Sequence, residues 1–138
     1  MSLPISIEDC MHKNPATVGA RASIGEAIAL IQSLKITGLT VVDEDKKVLG
    51  VISELDCLRA VLGAVYNEGI GDGGRVEEFM VKDVEFCTPD EDITSVAQDM
   101  LKNNRRRRPV VKDGKLVGQL SCRNILWAIM EYTNRRTG

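Results

Sequence analysis

Aromatic residues are scarce in this chain: one tryptophan, two tyrosines and two phenylalanines among 138 residues. A platform for single-stranded nucleic acid stacks bases on several such rings along a basic groove. None of the five lies in or beside the one four-arginine run, Arg105-Arg106-Arg107-Arg108. Histidine occurs once, as His12, and the four cysteines (Cys10, Cys57, Cys87 and Cys122) form no C-x-x-C pair. A structural zinc site is therefore not expected. A cysteine nucleophile would have only His12 as a partner, two residues from Cys10, which is a thin basis for catalysis. The phosphate-cradling pattern G-x-x-x-x-G-K-[ST] is missing. No apolar run approaches the roughly 20 residues of a membrane span, and no basic leader with an apolar core is visible. Formal net charge is only −2, so no bulk attraction to nucleic acid or an anionic membrane is expected. Together these absences point to a non-enzymatic, cytoplasmic protein with reduced thiols.

What is present is a repetition. Gly50-Val51-Ile52-Ser53-Glu54-Leu55-Asp56 is matched by Gly118-Gln119-Leu120-Ser121-Cys122-Arg123-Asn124. Glycine, serine and a carboxylate or amide fall at the same steps, after an apolar strand pattern and before an apolar helix pattern. Met11 answers to Met80 and Ile24 to Ile93, both 69 positions on, whereas Gly50 answers to Gly118, 68 positions on. A long period present twice indicates a duplicated small domain rather than a solenoid. Hydrophobic residues make up 43% and charged residues 28%, ordinary for a globular protein. A duplication also creates a cleft between its copies, and such clefts are favoured by small ligands.

Each copy has the same internal grammar. In the first, residues 1–65, Ser23 caps a helix and Glu26 completes a capping box. Ile24, Ala27, Ile28, Ile31 and Leu34 then follow at helical spacing. Leu39–Val42 and Val48–Ile52 read as strands joined by a turn, and Ser53 opens a helix with Leu55, Leu58, Leu62 and Val65 on one face. Residues 66–75 read as a glycine-rich linker. In the second copy, residues 76–138, Asp92 caps a helix, and Asp113-Gly114 turns between strands Pro109–Val111 and Leu116–Leu120. Ser121 opens a last helix that is apolar on nearly all sides from Ile125 to Tyr132, a pattern suited to assembly. The expected fold is α+β: two β-α-β-β-α repeats packed with approximate two-fold symmetry, sheets face to face and helices flanking.

These motifs carry a resemblance. Met11-x-x-x-Pro15-x-Thr17-Val18, Ser23-Ile24-Gly25-Glu26-Ala27, Gly38-Leu39-Thr40-Val41-Val42-Asp43 and Gly50-Val51-Ile52-Ser53-x-x-Asp56 form one series. Met80-Val81-x-Asp83-Val84, Asp92-Ile93, Arg107-Arg108-Pro109-Val110-Val111 and Gly118-x-Leu120-Ser121-x-x-Asn124 form the other. In this order, twice, they resemble a tandem pair of cystathionine-β-synthase domains, the CBS pair or Bateman module. The resemblance implies a stand-alone regulatory module that binds an adenine nucleotide (AMP, ADP, ATP) or an S-adenosyl ligand between its repeats. It also implies a homodimer shaped as a flat disc, no required cofactor, and an unidentified partner protein under its control.

Individual residues carry two readings each. Asp56 has acceptor oxygens for ribose hydroxyls, and Ser53 stands at a helix start where oxygen ligands are favoured. The same Ser-x-x-Asp is also a helix cap. Ser121 and Asn124 repeat the pair with an uncharged amide, which weakens that copy as a ribose site. The resemblance places Arg107 and Arg106, two and three residues before Pro109, against ligand phosphates. The competing readings are a solvated face paired with Asp90, Glu91 or Asp92, and a nucleic-acid contact. Val18, Leu39 and Thr40 line the adenine slot in the family pattern, with Val51 or Ile52, while by period alone they equally suit a core. Thr17, Gly38 and Pro109, within the matched motifs, are further ligand-binding candidates. Thr40 replaces the usual proline, so the start of that strand is expected to be looser. Val84-Glu85-Phe86-Cys87 replaces the Pro-x-Thr-Val segment, and Phe86 is expected to crowd the second cleft. The copies thus suggest one composite site, ribose recognised by one repeat and phosphate by the other. The alternatives are a ligand-free dimerisation module and a nucleic-acid binder acting through Arg105–Arg108.

Overall fold

The computed structural model of the chain describes residues 3–66 and 74–137. In chain order its elements are α1 (Ile7–Cys10), β1 (His12–Lys13), β2 (Thr17–Gly19), α2 (Ile24–Leu34), β3 (Gly38–Val42), β4 (Val48–Ser53) and α3 (Glu54–Tyr66). There follow α4 (Val76–Phe79), α5 (Ile93–Lys102), β5 (Arg107–Lys112), β6 (Lys115–Ser121) and α6 (Cys122–Thr137). The α+β class expected from the sequence is found, with two three-stranded sheets ordered β2-β3-β4 and β1-β6-β5. The expected linker at 66–75 lies largely outside the described residues. The chain divides into two compact units, a central one, Ala16–Val84, and a terminal one, Met1–Pro15 with Glu85–Gly138.

In the central unit Ser23 caps α2 by accepting from the Glu26 N–H at 3.0 Å, and Lys35 ends it in the left-handed region (φ 54). Ile24, Ala27 and Ile31 turn inward to meet Val18, Leu39, Val41, Ile52 and Val76 in an apolar core. Helix α3 contributes Cys57 and Ala60 to that core. Its Leu55, Leu58, Leu62 and Val65 point outward and stay 47–66% exposed. In the terminal unit Asp92 caps α5 by accepting from the Ser95 N–H at 3.1 Å. Asp113 (φ 53) and Gly114 (φ 78) make the expected tight turn, which needs positive φ at both positions. Ile7, Ile93, Val96, Met100, Val110, Leu120 and Ile125 form its core. The last helix is therefore not uniformly buried: Ile125 faces in, while Leu126, Trp127 and Met130 face out.

The division into units runs through the sequence repeats. Strand β1 pairs antiparallel with β6, His12 opposite Gln119, and Val81 bridges Val51 through mutual backbone bonds of 2.8 and 3.0 Å. The paired Met and Gly signatures explain this arrangement. A Cβ on Gly50 would lie 2.6 Å from the Val81 carbonyl oxygen and 3.0 Å from Met80 Sδ. A Cβ on Gly118 would collide with Met11 Sδ. Each methionine thus lies across a glycine in the other sequence repeat, and only glycine admits it.

One position contradicts a sequence expectation. Thr40 does not loosen the start of its strand, because its N–H donates to the Ala16 carbonyl at 3.4 Å and β2 pairs with β3 over three residues. Pro109, in the matching position of the terminal unit, has no N–H to give. There the first strand shrinks to one bridge, Cys87 with Val110.

Gly50→Ala is expected to cost about 1–3 kcal/mol, because a backbone oxygen must shift to admit the methyl. Gly19→Ala, with nothing within 4 Å of its Cβ, should leave the urea midpoint nearly unchanged. Equal midpoints for the two variants would refute this account of the methionine–glycine contact.

Candidate functional site

In the central unit β4 runs straight into α3, and the Glu54 N–H donates to the Thr37 carbonyl at 3.0 Å. This brings Ser53 opposite Gly38, beside Leu39 and Thr40, with Thr17 paired to Thr40. Ser53 Oγ donates to Asp56 Oδ2 at 2.9 Å and accepts from the Asp56 N–H at 3.3 Å; the Ser53 N–H also donates to Oδ2, at 2.8 Å. The capping arrangement is therefore formed. Asp56 is 6% exposed, and its Oδ1 takes a bond from Arg59 Nη1 at 3.1 Å. A carboxylate has about four lone-pair sites, and three are used here. A diol would have to share Oδ1 with Arg59 or displace it. Since the Arg59 side chain is 71% exposed, that pair gives way at little cost. Val18, Leu39 and Thr40 are buried, the first two in the apolar core.

The terminal unit repeats the geometry with different chemistry. Ser121 Oγ donates to Asn124 Oδ1 at 2.7 Å and accepts from the Asn124 N–H at 3.0 Å. The amide oxygen is thereby engaged, and the amide nitrogen has no partner among the described residues. This pair offers a donor where the Asp56 pair offers an acceptor. Arg107 sits opposite Ser121 in the hairpin, and the Cys122 N–H donates to the Arg106 carbonyl at 3.0 Å. Arg106 and Arg107, Ser121 and Asn124 are thus gathered at one end of the β5–β6 hairpin, where α6 begins, with Pro109 buried in the same strand.

The four arginines do different things. Arg108, 5% exposed, donates through Nη2 to Asp99 Oδ2 at 2.6 Å and to Glu85 Oε2 at 3.0 Å. Arg105 pairs with Glu85 Oε1 at 3.6 Å, and Asn103 Nδ2 donates to Glu85 Oε2 at 3.1 Å. Arg106 and Arg107 are exposed and have no partner among the described residues. The acids named from sequence as partners for this run do not fill that role. Asp92 caps α5, and Glu91 accepts from the Thr88 N–H at 2.6 Å. Glu85 and Asp99 do the pairing instead. Arg59, Glu85 and Asp99 were missed from sequence. Arg59 stands one helical turn after Asp56, and Glu85 and Asp99 stand 69 positions after apolar residues.

Three of the thiols, Cys10, Cys57 and Cys87, are poorly suited to nucleophilic chemistry. Burial pushes the Cys87 thiol up to about 11, with the Glu91 carboxylate adding to the shift. Burial also raises Cys10 and Cys57. Among the described residues no three His, Cys, Asp or Glu side chains are placed to hold a metal ion. No described helix is long and apolar enough to cross a membrane.

The CBS domain pattern matches residues 7–63 and again 76–131. This chain belongs to the CBS-domain family. A 17.7 kDa protein of Acidianus ambivalens is 31% identical over 122 residues, covering 88% of this chain and 71% of that one. CBSX2, solved in complex with AMP, is 27% identical with a TM-score of 0.81, over 93% of this chain and 98% of that one. The CBS pair of MJ0100, solved with 5′-methylthioadenosine and S-adenosyl-L-methionine, is 28% identical with a TM-score of 0.76, over 93% and 98%. Longer relatives exist: the CBS pair spans 41% of MJ1225 of Methanocaldococcus jannaschii, at 29% identity. It spans 23% of the inosine-5′-monophosphate dehydrogenase of Aquifex aeolicus, also at 29%.

Asp99 gives this region a pH signature. Its hydrogen bond to Arg108 holds its carboxyl below the ordinary 3.8, and the Arg108 charge adds to this. A depressed folded value means the stabilisation is present above the ordinary value and is lost as pH falls through the lower one. Asp99→Asn should therefore unfold at lower urea than the parent chain near neutral pH, with the gap closing below about pH 4. A gap that stays constant down to about pH 2 would rule out this ion pair as its source.

Proposed function

We propose that this CBS pair is a regulatory sensor of an adenine nucleotide, signalling occupancy to a partner protein rather than catalysing a reaction. The observation that carries the reading is the presence of two exposed arginines, Arg106 and Arg107, with no partner among the described residues, beside the Ser121–Asn124 pair. Guanidinium groups and a free amide donor suit phosphate oxygens. The complexes of CBSX2 with AMP and of MJ0100 with two adenosyl ligands support an adenine-bearing ligand. Asp56 is the acceptor for ribose hydroxyls, taking them on Oδ1 as Arg59 moves aside. Thr17, Gly38 and Thr40, on the strands paired around Ser53, are further ligand contacts in this reading. The nucleotide is a regulatory ligand, and no cofactor is required.

The protein acts as a homodimer in this reading, because the outward apolar faces of α3 and α6 are unusual for a monomer's surface. Four unpaired thiols suit the reducing cytoplasm. A ligand-free dimerisation module is the competing reading that the same apolar faces favour. With only Arg106 and Arg107 of the run unpaired among the described residues, and no aromatic residue next to the run in sequence, nucleic-acid binding has less support.

Calorimetric titration with AMP, ADP, ATP and 5′-methylthioadenosine tests the proposal. AMP should bind more tightly than the phosphate-free methylthioadenosine. Asp56→Ala should weaken every ligand by about tenfold or more, the loss of charge-assisted bonds to hydroxyls. Arg106→Ala with Arg107→Ala should weaken only the phosphorylated ones. A dimer that gives no heat with any of the four would establish the ligand-free module instead.

A further inference from the structure

The ion cluster around Arg108 has an apolar counterpart. Subtracting the 69-residue period from Glu85, Asp99 and Arg108 leads to Ala16, Leu30 and Leu39. All three belong to the apolar cluster of the central unit. The backbone they support is alike in the two units. Lys35 and Asn104 both take left-handed φ, 54 and 57. The Ile36 N–H donates to Ile31 at 3.1 Å, and the Arg105 N–H donates to Met100 at 2.8 Å. Thr37 and Arg106 each accept from the first N–H of the following helix, both at 3.0 Å. An alanine and two leucines therefore suffice to hold this turn. An ionic set is not needed for it, and exchanging such sets for well-packed apolar residues is often neutral or stabilising. The ionic set is also imperfect, since Arg108 Nε is buried without a partner among the described residues.

What the ionic set adds is control over the arginine run. Glu85 engages Asn103, Arg105 and Arg108 with its two oxygens. It thereby ties both ends of the run to one carboxylate. Glu85 and Asp99 together cancel the charges of Arg105 and Arg108, leaving two cations at the centre. We propose that Glu85, Asp99 and Arg108 are positioning residues, which pin residues 103–108 so that Arg106 and Arg107 are held ready for a ligand phosphate. This rests on the phosphate role given to those two arginines above.

The test transplants the apolar set: Glu85→Ala, Asp99→Leu and Arg108→Leu in one chain. The exchange removes two negative charges and one positive charge, so a pure field effect would tighten AMP binding. Positioning has the opposite sign: the preference for AMP over adenosine falls by about tenfold, with adenosine unchanged. Amide hydrogen exchange at residues 103–107 should also quicken. A preference that is kept or increased overturns the proposal. Arg106→Ala with Arg107→Ala separates the two readings. If that variant keeps the preference, or the parent chain never shows one, the phosphate assignment fails. The exchange rates then decide positioning by themselves, and unchanged rates overturn it. If the triple variant does not melt cooperatively, Glu85→Gln is read by the same criteria, since it removes the shared charge and keeps the shape.

Discussion

A methionine lying across a glycine is the contact on which the organisation of this chain depends. Met80 crosses Gly50 and Met11 crosses Gly118, and each crossing brings in the strand residues that finish a sheet edge. His12 and Lys13 thereby pair with β6, and Val81 bridges Val51. An unpaired edge of backbone N–H and C=O groups is a liability, and covering it is a general requirement. Here the cover for each hairpin is drawn from the other sequence repeat, so duplication and interdependence arise together.

Much of the fold was legible in the sequence because it depends on local rules. Caps at Ser23 and Asp92, the positive-φ turn at Asp113-Gly114 and the alternating strands need only near neighbours in the chain. The exchange of edge segments was not legible, since it rests on contacts between residues far apart in sequence. The Met and Gly correspondences were visible at periods of 69 and 68 residues, but nothing in the spacing says that Met11 seeks Gly118 rather than Gly50. The reading of Thr40 failed for a related reason. Whether a missing proline loosens or ties a strand depends on whether a carbonyl waits opposite its N–H, and Ala16 supplies one.

The candidate site divides along the same line. Residue types identified its chemistry: carboxylate, hydroxyl, amide and guanidinium at the start of a helix or strand. Their division of labour emerged only in three dimensions. Asp56 and Asn124 occupy the same place in their repeats, yet one offers an acceptor and the other keeps a donor free. Of four adjacent arginines, two are neutralised by acids that sequence proximity did not single out. A difference of one or two atoms per side chain turns two copies of a motif into unlike surfaces, which is how a duplicated domain gains a polarity that its backbone lacks.

The exchange of segments also has a consequence for synthesis. The central unit, Ala16–Val84, is a continuous stretch of chain inserted into the terminal unit. On a ribosome it is complete once Val84 has emerged. Residues 3–15, which precede it in the chain, must wait for β6 and α6. At about 5–20 residues per second, the stretch from Glu85 to the end of α6 takes roughly 3–10 seconds to appear. During that interval Met11 and its neighbours have no glycine strand of their own to cover. The segment that precedes the central unit is therefore completed only after that unit, by strands made later in the chain.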